Sequence, residues 1–166
     1  MIINLLRDVQ LRGAMFEDGA RVLLRHKNEN NFVFCVNKFD SLIEIVDKYR
    51  LNCSLVQDAF SFFYVNKCLC DLVEFVVDDT TARNVLKINF YDVKTRRLDS
   101  ERKYFETCVS NHDFMKNMQS KGFNVFIMSI ILFENWEFSF NVHEYASVFL
   151  RIYDSTNKKT VDFQRK

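Results

Sequence analysis

Between Lys94 and Lys103 the chain carries five basic side chains, Lys94, Arg96, Arg97, Arg102 and Lys103, with Asp99 and Glu101 set among them. Tyr91 and Tyr104 flank the run. On a β-ribbon, guanidinium groups reach phosphate oxygens and tyrosine rings stack on bases, so this pattern points to nucleic-acid binding. The two carboxylates dilute the field. The same residues on a solvated, internally ion-paired loop would keep a sheet edge from aggregating. The solvated loop is the plainer reading, and nucleic acid stands as the alternative function.

Cys68 and Cys70 are the closest pair of thiols. Structural zinc uses pairs two to four residues apart within a four-ligand set. The spacing here is one short, and on a helix such positions point about 200° apart. Neither a metal nor any other cofactor is expected. Cys108 with His112, and His143 with Glu144, are the pairs with types suited to nucleophilic or acid–base work, and Asp113 could orient His112. No glycine-rich turn supplies an oxyanion hole or phosphate cradle beside either pair. A surface histidine near a helix cap is the simpler reading, which leaves a Cys/His-dependent enzyme as a third hypothesis. Asp78 and Asp79 match no EF-hand or paired-acid pattern. The sequon Asn52-Cys53-Ser54 matters only in a secreted protein.

Aromatic content is the positive signal. The chain has 18 Phe, 6 Tyr and 1 Trp, more than a core of this size demands, so some should sit at an interface. The cluster Phe60, Phe62, Phe63 and Tyr64 is the candidate protein interface, provided its segment has an exposed side.

The length suits one globular domain, residues 1–153, followed by a polar, basic tail, residues 154–166, expected to be frayed. A net charge of +1 gives no global push toward nucleic acid or membrane. The first ten residues do not read as a signal peptide, and no apolar run approaches the ~18 residues of a membrane span. Five cysteines without framework spacing fit reduced thiols in cytoplasm or nucleus. The chain has no proline and three glycines, with asparagine abundant and alanine sparse, the imprint of an AT-rich genome. In this style, over its whole length, it resembles small accessory proteins of large insect DNA viruses such as baculoviruses. The resemblance carries no motif and transfers no residue-level role.

The elements that would position these side chains follow from periodicity. Ile2, Leu5, Leu6 and Val9 predict a short helix over 2–16, and 20–27 and 32–38 predict two strands joined through Asn28–Asn31. Ser41 and Glu44 form a capping box for the next helix. Residues 54–77 recur every three or four positions and predict a long buried helix, although their β-branched and aromatic content also suits strand. Residues 85–93 alternate as a strand, and 102–109 would pair with it as a hairpin. Residues 110–121 form a helix closed by Gly122, with Ser110 or Asn111 as cap. Then comes the most apolar stretch, 122–153, read as the central strands. Trp136, Phe138, Phe140 and Val142 fall on one face of its alternating middle.

The fold expected is α+β, a mainly antiparallel sheet of about six or seven strands with three or four helices packed on one face. The function expected is that of a small intracellular, non-enzymatic interaction or regulatory protein. It would act on a protein partner, or on itself, through an aromatic-rich surface.

Overall fold

A computed structural model describes residues 9–27, 30–36, 42–53, 70–78, 83–97, 104–133 and 137–164. In chain order the elements are α1 (Val9–Lys27), β1 (Phe32–Cys35), α2 (Leu42–Lys48), β2 (Leu72–Val77), β3 (Val85–Arg97) and β4 (Phe105–Cys108). There follow α3 (Val109–Ser120), β5 (Asn124–Leu132), β6 (Phe138–Glu144), a 3-10 turn (Tyr145–Ser147), β7 (Leu150–Tyr153) and β8 (Thr160–Gln164). The class is α+β, but the strands form two sheets rather than one. A five-stranded sheet runs β1-β2-β3-β5-β6, and a three-stranded sheet runs β4-β7-β8. Both are mixed, because β3 pairs with β5, and β4 with β7, in parallel.

The helices lie on both faces of the larger sheet, not on one. Phe16, Ala20 and Leu24 recur at every fourth position of α1 and run straight through Gly19. They pack on Val33, Leu72, Tyr91, Met128 and Ile130 from one face. The opposite face, with Val73, Phe75, Ile88, Phe90, Val125 and Ile127, is covered by α3 through Phe114, Met115 and Met118. Ile45 of α2, and Tyr145 and Leu150 beside the smaller sheet, complete that layer. No helix among the described residues is long and apolar enough to cross a membrane.

Residues 20–27 are the second half of α1 and not a strand. Only Val22 among them is β-branched, and the four-residue apolar spacing prevails. Strand β1 therefore pairs with β2 instead, from Phe32 opposite Phe75 to Cys35 opposite Leu72. Residues 72–77, expected as the end of a helix, are this strand, and all but Val76 are buried. A strand covered on both faces loses its alternation, which is how Leu72 and Val76 came to fit a helical period. Residues 54–69 lie outside the described residues.

No hairpin joins 85–93 to 102–109. The edges of β3 are taken by β2 and β5, so β4 pairs with β7 in the other sheet. Nor is the end of the chain frayed throughout: β8 pairs antiparallel with β7, and the Gln164 amide donates to the carbonyls of Tyr145 (2.6 Å) and Val148 (3.3 Å). The helix over 110–121 is confirmed as α3, with Cys108 rather than Ser110 or Asn111 at its N-cap. Its other end is a Schellman turn. Phe123 N–H donates to the Met118 carbonyl and Gly122 N–H to that of Gln119, with Gly122 at φ 86°.

Candidate interaction cleft

The described side chains of the basic run, Tyr91, Lys94 and Tyr104, lie in different settings. Tyr91 is buried beneath α1, where its hydroxyl donates to Glu74 Oε2 and its ring stacks on Phe126. Lys94 Nζ lies 2.9 Å from Asp92 Oδ2, a carboxylate in a residue only 1 % exposed. Arg96 and Arg97 stand at the end of β3. Arg102 and Lys103 lie outside the described residues. Tyr104 is on the smaller sheet, in ring contact with Phe149 and Phe163. The candidate interface Phe60, Phe62, Phe63 and Tyr64, and Cys68, also lie outside the described residues.

Cys108, His112 and His143 are each bonded to other groups. Cys70 is a core residue. Cys108 donates its S–H to Asn111 Oδ1 at 3.1 Å and lies 3.2 Å from Ser110 Oγ. His112 Nδ1 is 2.9 Å from the hydroxyl of the fully buried Tyr145. Burial lowers the His112 pKa, against the pull of Asp113. Residues 143 and 144 are consecutive in β6 and so point to opposite faces. His143 Nε2 lies 3.1 Å from Ser129 Oγ, and Ser129 is 2 % exposed. Asp78 accepts from Asn84. Among the described residues no group of three His, Cys, Asp or Glu could hold a metal ion.

Two buried polar clusters tie the larger sheet together. Glu74 Oε1 accepts from Asn31 Nδ2 (2.7 Å), and Oε2 accepts from Asn89 Nδ2 (2.8 Å) as well as from Tyr91. Where β2 stops and β3 runs on, Asp71 takes over the edge, its Oδ2 accepting from Val93 N–H at 2.6 Å. Burial, and then the neighbouring Asp92, push the Asp71 carboxyl up to about 8. Burial opposes the charge on Lys94, but Asp92 and Asp71 outweigh it and hold the ammonium above its ordinary range. Lys94 and Ser129 are partners in the β3–β5 register.

A cleft of about 420 Å³ opens between α1 and β1. Glu17, Asp18, Arg21 and Arg25 line one side, Tyr49 the other, and Phe32, Val33, Phe34 and Cys35 its floor. The Tyr49 ring packs against Phe32 and Phe34, at centroid distances of 5.6 and 5.1 Å. Arg83 lies 5.8 Å over the Phe32 ring while its Nη1 donates to the Tyr49 carbonyl. Lys48 lies 5.4 Å over the Tyr49 ring. Arg21 is bound to Asp18 through Nε (2.9 Å) and Nη2 (2.7 Å). Burial raises the pKa of Glu17 and of the Cys35 thiol. The lining sets two guanidiniums, Arg21 and Arg25, beside two carboxylates, Glu17 and Asp18, and Arg83 and Lys48 add cations over the adjoining rings. A second aromatic surface, Tyr104, Phe149 and Phe163, lies on the smaller sheet, where Val161 is 55 % and Phe163 41 % exposed.

This cleft is not legible in the sequence while Arg21 and Arg25 read as strand residues. Their spacing of four, in step with Phe16, Ala20 and Leu24, is the signal that puts both on one side of a helix. No family model, curated protein or solved structure matches the chain.

Proposed function

We propose that this chain is a small, non-enzymatic interaction module that holds a protein partner in the cleft between α1 and β1. The observation that carries the reading is the convergence of Phe32, Phe34 and Tyr49 with Arg21 and Arg25 around one concavity, with Arg83 lying over the Phe32 ring. Tyrosine and arginine dominate interface hot spots, since each offers a large contact area with a directional polar group. The Cys108 and His112 contacts, spent on Asn111 and Tyr145, favour the same reading over nucleophilic chemistry. Self-association is a second reading, favoured by the exposed Val161 and Phe163 on β8.

The test is affinity purification of the full chain from host cells, with Tyr49→Ser/Arg25→Glu as the paired bait. A specific partner should be retained about tenfold better by the native sequence. Equal retention by both baits would overturn the cleft assignment. A homodimer that Phe163→Ser dissociates would transfer the role to the smaller sheet.

A further inference from the structure

Four consecutive residues of β1, Phe32 to Cys35, border the cleft. Successive side chains of a strand point to opposite faces. A cavity that touches all four therefore runs along the hydrogen-bonding edge of the strand and not over one of its faces. Val33 and Cys35 face α1, and Phe32 and Phe34 face Tyr49, so the cleft spans both sides of that edge.

β1 ends the strand order of the larger sheet. Its other edge is paired with β2, and the Val36 N–H donates to the Asp71 carbonyl at 2.8 Å, continuing the same register. Amides alternate along an antiparallel ladder, so those of Phe34 and Phe32 also turn toward β2. Those of Val33 and Cys35 turn outward into the cleft. Among the described residues no backbone hydrogen bond reaches them from that side.

We infer that the cleft receives an extended peptide that adds to β1 as a further strand and carries acidic side chains around an aromatic or aliphatic anchor. This inference rests on the interaction reading above and specifies its mode. Added strands draw affinity from main-chain hydrogen bonds and selectivity from alternate side chains. Here one set of alternate side chains would meet Phe32, Phe34 and Tyr49, and the other would meet α1. Charge decides the partner's chemistry. Arg25 has no ion pair among the described residues, Arg83 and Lys48 border the aromatic side, and of the two carboxylates in the lining, Glu17 and Asp18, Asp18 is already held by Arg21. A carboxylate entering beside Arg25 gains a charge-assisted, bidentate hydrogen bond, whereas a lysine there meets the like charge of the guanidinium.

The experiment selects a phage-displayed library of random dodecapeptides on the immobilised full-length chain. Enriched peptides are then made synthetically and measured by fluorescence anisotropy. The expected consensus places Asp or Glu on either side of a Phe, Tyr, Leu or Ile. Arg21→Glu/Arg25→Glu, both at exposed or half-buried helix positions, should weaken these probes about tenfold or more. N-methylation of successive peptide amides should abolish binding at alternate positions only, the signature of a ladder. Cys35→Pro, which removes one outward N–H from an edge strand, should do the same while its thermal unfolding stays cooperative. A basic consensus, or probes that tolerate N-methylation everywhere, would overturn the inference. So would a library that yields nothing while a folded partner is still retained in affinity purification, and that outcome leaves the interaction reading standing. Loss of both signals removes both.

Discussion

The Tyr91 hydroxyl lies 2.5 Å from Glu74 Oε2, joining β3 to β2 on the face that α1 covers. Burial, and then the adjacent carboxylate, raise the Tyr91 pKa well above its ordinary range, so the hydroxyl keeps its proton and acts as donor. Tyr91→Phe leaves a buried carboxylate one donor short. The expected cost is about 1–3 kcal/mol, read as a lower urea midpoint with an unchanged slope. A change below about 0.5 kcal/mol, the size of an ordinary surface substitution, would contradict the role assigned to this bond.

Asp71 gives stability a slope in pH. Its carboxyl titrates near 3.8 when unperturbed and at about 8 in the fold, so between those values the folded state holds a proton that the unfolded state has lost. Stability from this group is therefore complete below about pH 4 and declines as pH rises toward 8. Glu17, raised by burial, acts in the same direction. His112 acts oppositely: its pKa is lowered, so its contribution is lost as pH falls below 6.5. Denaturation midpoints across pH 4–9 should flatten on the alkaline side in Asp71→Asn. That substitution retains an oxygen for Val93 N–H. An unchanged profile would mean that Asp71 is ionised in the fold throughout.

Gly122 sits at φ 86°, where a Cβ meets no neighbour within 4 Å but the backbone itself is strained for any L side chain. Gly122→Ala should therefore cost about 1 kcal/mol through conformation alone. Thermal unfolding measures it, and a midpoint equal to that of the native sequence would rule out the left-handed cap.

Lys94 separates the two readings of the basic run. As the counter-ion of Asp92, its replacement by Ala should destabilise the fold by about 1–3 kcal/mol, a range held down because its side chain remains 23 % exposed. Native mass spectrometry with the 260/280 nm absorbance ratio should show protein free of nucleotide. Oligothymidylate should bind no more tightly than ~100 µM near physiological salt. Tight binding whose salt dependence drops by about two charges in Arg96→Ala/Arg97→Ala would restore the nucleic-acid assignment.

Local signals were legible wherever one face or one cap determined the element. The nine residues of β5 are almost continuously apolar because both faces are covered. Likewise α3 is announced by Phe114 and Met118, four apart, and by the Gly122 stop. Pairing was not legible. Nothing in Val85–Arg97 says that its second neighbour is Asn124–Leu132 rather than Phe105–Cys108, because strand pairing is a long-range relation that local periodicity does not carry. The same holds for β8, whose backbone is paired by β7 only after the chain has turned back. The cleft inherits this difficulty, since its two sides come from α1 and Tyr49 and its floor from an edge strand.

The parallel pairing of β3 with β5 also sets an order of events during synthesis. Asn89–Arg97 is made first and must wait for Asn124–Leu132 to supply the strand along its second edge. At roughly 5–20 residues per second, the nascent chain shows that bare edge for a few seconds, with Ile88 and Phe90 still uncovered by α3. An unpaired edge beside exposed aromatic surface is a template for other nascent chains. A product ending before Asn124 would keep it permanently, and would behave as an aggregating fragment rather than as a smaller domain.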